Sequence, residues 1–268
     1  MKFPSPRQLG VVSVTALALV VAVAAISAGQ GTGRGAIKGR VRIAGKIPGN
    51  PIIRMRADPM CSKIYGGTRT VQEMFAATIE GHLANVFVVV EGAFPQAPTA
   101  PSTPVVIDQQ ACLYVPRMVG VRVGQLLEVK NSDDLLHNIH TSSSRGNEYN
   151  ISQPKAGMVN QFRLKEERML RLRCDVHGWM TAWVGVVSHP YFAVTAQDGT
   201  FEIRNVPAGA RSVEIWHEQL GVQKKSVPVK AGATATVDFE YVGDEKPSKG
   251  VELALPRGVT TVRWEVGR

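Results

Sequence analysis

The stretch MLRLRCDVHGWM, residues 169–180, decides how the chain is read. Leu170, Leu172 and Cys174 alternate with Arg171 and Arg173, the period-two pattern of a strand with one buried and one wet face. A strand here turns Cys174 inward. The alternation then stops, and Cys174, His177 and Met180 follow at a spacing of three, so a tight loop can bring all three side chains to one point. Upstream lies NSDDLLHNIHTSS, residues 131–143, whose His137 can approach that loop from a neighbouring strand.

The residue types select a metal. A thiolate, two imidazoles and a thioether form the trigonal donor set with a weak axial ligand that suits type 1 copper cycling between Cu(I) and Cu(II). Zinc accepts Cys and two His but gains little from Met, and its structural sites usually carry more thiolates. There is no Cys-x-x-Cys-His for covalent haem, and a binuclear copper loop would need two cysteines where only Cys174 is present. The bland reading is a buried structural thiol with incidental neighbours. Four matched side chains favour the metal, with ligands His137, Cys174, His177 and Met180.

Outward from this centre the pattern is all-β. Short apolar runs between Gly and Pro read as strands at 105–107, 119–130, 137–142, 159–164, 168–174 and 182–187, preceded by AIKGRVRIAG from Ala36 and the more buried HLANVFVVVEG. Pro95, Pro98, Pro101 and Pro104 mark an extended surface loop. After His189-Pro190, YFAVTA and TFEIRNV flank Gln197-Asp198-Gly199 and read as a hairpin, since Asp-Gly supplies the positive φ of a tight turn. RSVEIWHEQLG, SVPVKAG and TATVDFEYV complete a second, smaller β unit.

These motifs resemble the cupredoxin family, and amicyanin-like, methylamine-utilisation-type members in particular. His137-Asn138-Ile139-His140 is similar to their His-Asn-x-His, and Cys174 to Met180 is similar to their short Cys-x-x-His-x-x-Met loop. The resemblance is most specific over residues 119–187. It implies a Greek-key β-sandwich holding one copper. More broadly, 36–242 resembles bacterial copper proteins that join a cupredoxin to a carboxypeptidase-regulatory-like, transthyretin-type β-sandwich. Expected boundaries are therefore a leader at 1–28, a linker at 29–35, a copper domain at 36–187, the second sandwich at 188–242 and a tail at 243–268. Gly178 departs from the family, whose small members often carry Pro after the loop histidine, and this loosens the loop.

Other residues receive subsidiary roles. Asn138 is expected to tie the two ligand-bearing segments together. Trp179 and Trp183 either screen the metal from water or pack the core. His140, three residues from His137 on a strand, points to the opposite face and is read as structural, as are His189 and His217. Asp133 and Asp134 are read as solvated loop acids. Cys61 and Cys112 are expected to pair as a disulfide, the sharper alternative being a second metal site with Met60.

The run from Leu9 to Ala28 contains no charge and follows Lys2 and Arg7, so it is a secretory signal or a membrane-anchor helix. Either outcome places the remainder outside the cytoplasm, in a periplasmic or similar compartment, with membrane association through residues 9–28 if the leader is uncleaved. The net charge of +9 becomes +7 without residues 1–28, which favours acidic partners. The bases are scattered and no nucleic-acid motif is present, which excludes that class. Expected function is single-electron transfer to an acidic redox protein or a membrane electron-transfer complex. The alternatives are a copper delivery or sensing module and a structural β-domain protein of a membrane assembly. An enzyme is not expected, because four ligands leave no open position for substrate.

Overall fold

A computed structural model of the chain describes residues 33–143, 146–165 and 169–245. Four elements come first: β1 (Arg34–Ile43), a 3-10 turn (Met55–Ala57), a short helix α1 (Pro59–Ile64) and β2 (Phe87–Glu91). Nine strands follow: β3 (Val105–Gln110), β4 (Leu113–Val115), β5 (Met118–Arg122), β6 (Leu126–Asn131), β7 (His137–Thr141), β8 (Tyr149–Gln153), β9 (Val159–Arg163), β10 (Met169–Arg173) and β11 (Thr181–Val187). The last group is β12 (Phe192–Val194), β13 (Thr200–Pro207), β14 (Gly209–His217), β15 (Gly221–Val229), β16 (Thr234–Thr236) and β17 (Phe239–Tyr241).

Strands β3 to β11 make two sheets, ordered β5-β11-β10-β7-β8 and β4-β3-β6-β9. Both are mixed: β11 runs parallel to β5 and β3 parallel to β6, the remaining pairs being antiparallel. Their inward residues, among them Ile107, Leu127, Val129, Leu170, Leu172 and Val184, form one apolar core. This all-β, mixed-sheet arrangement is consistent with a cupredoxin-like sandwich. The alternation in β10 survives as read: Leu172 and Cys174 are buried, Arg171 and Arg173 exposed. The span 119–130 is two strands rather than one, because Gly124 turns the chain at φ +80°.

The remaining strands draw on both ends of the described chain. β1 pairs with β13, β16 and β17, and β2 lies between β12 and β14 in the order β12-β2-β14-β15. Strands from 34–43 and 87–91 thus share sheets and a core with strands from 192–241, including Ile37, Val41, Val88, Ile203, Ile215 and Phe239. Hydrogen-bonded ladders therefore join strands from both sides of residue 187. The physical reason is that β12 to β17 cannot cover their own apolar faces without the buried β1 and β2. The Asp198-Gly199 turn forms, with Gly199 at φ +73°, but it is a corner. β12 goes to β2 and β13 to β1, so the expected hairpin is absent.

The anchor helix is also corrected: among the described residues no helix is long and apolar enough to cross a membrane. The stretch 1–28 that prompted it lies outside the described residues, as do 246–268 of the expected tail.

Gly120 and Gly185 are register partners on β5 and β11. A Cβ on Gly185 would lie 2.4 Å from the Phe87 ring, and one on Gly120 would lie 2.1 Å from Phe192. The two glycines therefore form a slot for these rings, which stack at 5.7 Å. With Met118, Met169, Val187 and Trp216 they join the sandwich to the second pair of sheets.

His189 and His217 are buried beside aromatic rings, His189 at 4.6 Å from Phe94 and His217 at 5.6 Å from Phe75. Burial brings both down to about 4, away from the ordinary 6.5. Between those values the unfolded chain takes up protons that the folded chain refuses, so stability falls as pH drops from about 6.5 to 4. The expected loss is on the order of 3 kcal/mol per histidine. Urea denaturation across that range checks this; the acid loss shrinks in His217→Gln.

Candidate metal centre

The centre forms where β7 begins and where β10 runs into the loop to β11. His137, Cys174 and His177 bring one ring nitrogen or sulfur each to within 4.8 Å of one another. With Met180 they are each at most 2% exposed. The loop is shaped by its backbone: Cys174 N–H donates to the Met180 carbonyl at 3.2 Å and Met180 N–H to the His177 carbonyl at 2.8 Å. The His177 amide also donates to Cys174 Sγ at 3.4 Å. Met180 is buried in the same apolar core as Cys174.

Asn138 Oδ1 accepts the Asp175 amide at 2.6 Å, which ties β7 to the loop after β10. Tyr114 adds a second tie, its hydroxyl donating to the carbonyls of Asn138 at 2.6 Å and Arg173 at 3.3 Å. Trp179 lies 5.1 Å from the His177 ring and donates Nε1–H to the Cys112 carbonyl, so it both packs and covers. Trp183 is elsewhere, against Trp216 at 4.9 Å. His140 stays outside the cluster, 2.6 Å from Asp175 Oδ2.

Cys61 and Cys112 form the expected disulfide. The Met60 side chain is half exposed.

Two residues missed in the sequence complete the centre. Asp133 is buried, and its Oδ2 lies 2.9 Å from His137 Nε2. Asp58, at the amino end of α1, places Oδ2 3.1 Å from His177 Nε2. Asp133 follows its backbone bonds to a loop that looks solvated in sequence. Asp58 is 119 residues from its partner, and no local pattern marks it.

Electrostatics favour a cation here. Hydrogen bonding to His177 holds Asp58 below the usual carboxylate range despite some burial. Burial pushes Asp133 up, but His137 and the Cys112 and Ala111 amides outweigh it and the net direction is down. Burial also pushes the Cys174 thiol up, yet His137 and His177 bring it down to about 6, so it is a thiolate at neutral pH. An ionised carboxylate only accepts, so each Nε2 carries a proton and donates it. The two Nδ1 atoms, 3.0 Å apart, then face each other as lone pairs unless a proton or metal ion lies between them. Beside them is the thiolate, 3.8 Å from His177 Nδ1. Two soft-to-borderline nitrogens and a thiolate, each nitrogen backed by a carboxylate, fit copper.

No protein-family model matches the chain, and no curated protein matches it. Solved structures similar to part of it include a novel purple cupredoxin from Nitrosopumilus maritimus, 23% identical over 30% of this chain and 97% of that one, TM-score 0.27. A mutant of amicyanin in the Cu(I) form is 19% identical over 37% of this chain and 97% of its own, TM-score 0.29. A Cu-containing nitrite reductase from Thermus scotoductus SA-01 is 17% identical over 36% of this chain and 25% of its own, TM-score 0.28. Each of these likenesses covers no more than 37% of this chain.

Proposed function

We propose that the protein is a type 1 copper electron carrier of an extracytoplasmic compartment. The observation that carries this reading is the pair of facing Nδ1 atoms beside a low-pKa thiol, with both outer nitrogens taken by carboxylates. Copper bound there supplies one-electron Cu(I)/Cu(II) chemistry. His137, Cys174 and His177 hold it, and the buried Met180 supplies the weak thioether. Asp133 and Asp58 fix the imidazole tautomers, while Tyr114 and Asn138 keep the two ligand segments at constant separation. A centre braced in this way changes little between oxidation states, which suits electron transfer more than substrate turnover, and we assign no enzymatic activity. The disulfide supports an oxidising compartment. The net positive charge supports an acidic redox protein or membrane complex as partner.

Metal analysis with optical and spin-resonance spectra tests the reading on protein made in an oxidising compartment. One copper per chain with an intense visible band and a narrow parallel hyperfine splitting is expected. Zinc in the centre, or a copper signal of ordinary wide splitting, sinks it.

A further inference from the structure

The disulfide and the metal centre are one connected structure. Asp58 Oδ1 accepts the amides of Met60 at 2.7 Å and Cys61 at 3.1 Å, while Oδ2 engages His177. On the other side, Asp133 Oδ2 accepts the Cys112 amide at 2.8 Å and engages His137. The Cys61–Cys112 bond therefore joins the two cysteines whose backbones bind the two carboxylates that brace the two histidines. The cysteine sulfurs are close as well. Cys61 lies within 4.8 Å of the ligand atoms of Asp58 and His177, and Cys112 within the same distance of those of Asp133 and His137.

We propose that Asp58 is the positioning residue of His177 and that the disulfide is a thiol-sensitive staple keeping it there, so that breaking the bond opens the centre to metal exchange. This rests on the copper reading above. Asp58 belongs to neither sandwich sheet. It sits on a segment whose helix is six residues long, too short to persist unaided. Besides the disulfide, that segment is tied to the centre by Tyr65 to the Ala111 carbonyl at 2.7 Å, a long Gln72 bond to the Trp179 carbonyl at 3.5 Å, and a small apolar cluster. Asp133, by contrast, is anchored between sandwich strands and stays when the bridge opens. A dithiol reductant would supply two electrons and two protons, turning the disulfide into two thiols and itself into a disulfide. Asp58 would then leave His177, whose buried edge becomes reachable.

The test uses the full copper-loaded chain and measures Cu(I) transfer to a soluble chelator, the reduction potential and the spin-resonance spectrum. Dithiol treatment is expected to speed transfer by about 10- to 100-fold. Cys61→Ser with Cys112→Ser should match it. Asp58→Ala should do the same, and should add nothing once the bridge is open. Asp58→Asn, which keeps an acceptor but loses the charge, should raise the potential with a smaller change in transfer. Unchanged transfer and spectra in the bridge-broken and Asp58→Ala proteins would overturn the proposal while leaving one copper per chain intact. A copper-independent measurement separates the two readings: hydrogen exchange at the Met60 and Cys61 amides of the metal-free protein. Faster exchange on reduction supports the staple, and equal protection overturns it.

Discussion

If the centre holds copper as proposed, Cys174→Ser is expected to abolish the intense visible absorption of the loaded protein and to leave the fold standing. The sulfur is 2% exposed, and its thiol is brought down to about 6 by His137 and His177 against the opposing effect of burial. It is thus charged and ready to bond a soft ion at neutral pH. A serine hydroxyl is a hard donor that stays protonated there, so the covalent sulfur-to-copper bond responsible for the colour cannot form. Exchanging sulfur for oxygen at one buried site should cost about 1 kcal/mol of stability. Circular dichroism should therefore be unchanged, while any remaining copper shows a wide parallel hyperfine splitting. A variant that keeps the band would remove Cys174 from the centre.

The second large effect is expected at Asp133. Its carboxylate accepts the amides of Ala111 at 2.7 Å and Cys112 at 2.8 Å, residues that stand at φ +52° and +57°, and it braces His137. Asp133→Ala leaves one buried and one half-buried amide without an acceptor in a strained turn and frees the His137 imidazole. A loss of about 3 kcal/mol in chemical denaturation is expected, together with a fall of about 10- to 100-fold in copper affinity. The sign of the pH dependence follows from the lowered pKa of this group. Its stabilisation is complete above the unfolded carboxylate value and is lost as pH falls through the lower folded one. The gap between wild type and variant should therefore be full at neutral pH and close in acid. An equally stable Asp133→Ala protein would show that the Ala111-Cys112 turn is held by something else.

What could be seen in the sequence was what local pattern controls. Alternation placed Cys174 inward because β10 has one wet face. The spacing of Cys174, His177 and Met180 was legible because a single loop carries all three. The Cys61–Cys112 pair could be read because these two cysteines remain once Cys174 is placed in the cluster. Asp58 and Asp133 were invisible for the opposite reason: a carboxylate becomes part of a buried centre only when distant chain closes over it. The same non-locality hid the sheets. The Asp198-Gly199 turn has one signature whether its flanking strands pair with each other or part, and only the burial of β1 and β2 decides between them. Gly124 could have been read as the break in 119–130, since a glycine inside a strand pattern often marks a turn.

The paired glycines on β5 and β11 have a consequence for dissecting the protein. Two phenyl rings from one layer sit like cogs in a notch of the next, and the chain crosses that boundary before and after the Cys174–Met180 loop. A cut near residue 187 would separate β1 and β2 from partners they share with later strands and would bare Phe87, Met118 and Trp216 to water. Fragments ending there should clump, whereas in the uncut chain the sandwich and the strands after residue 191 are interlocked.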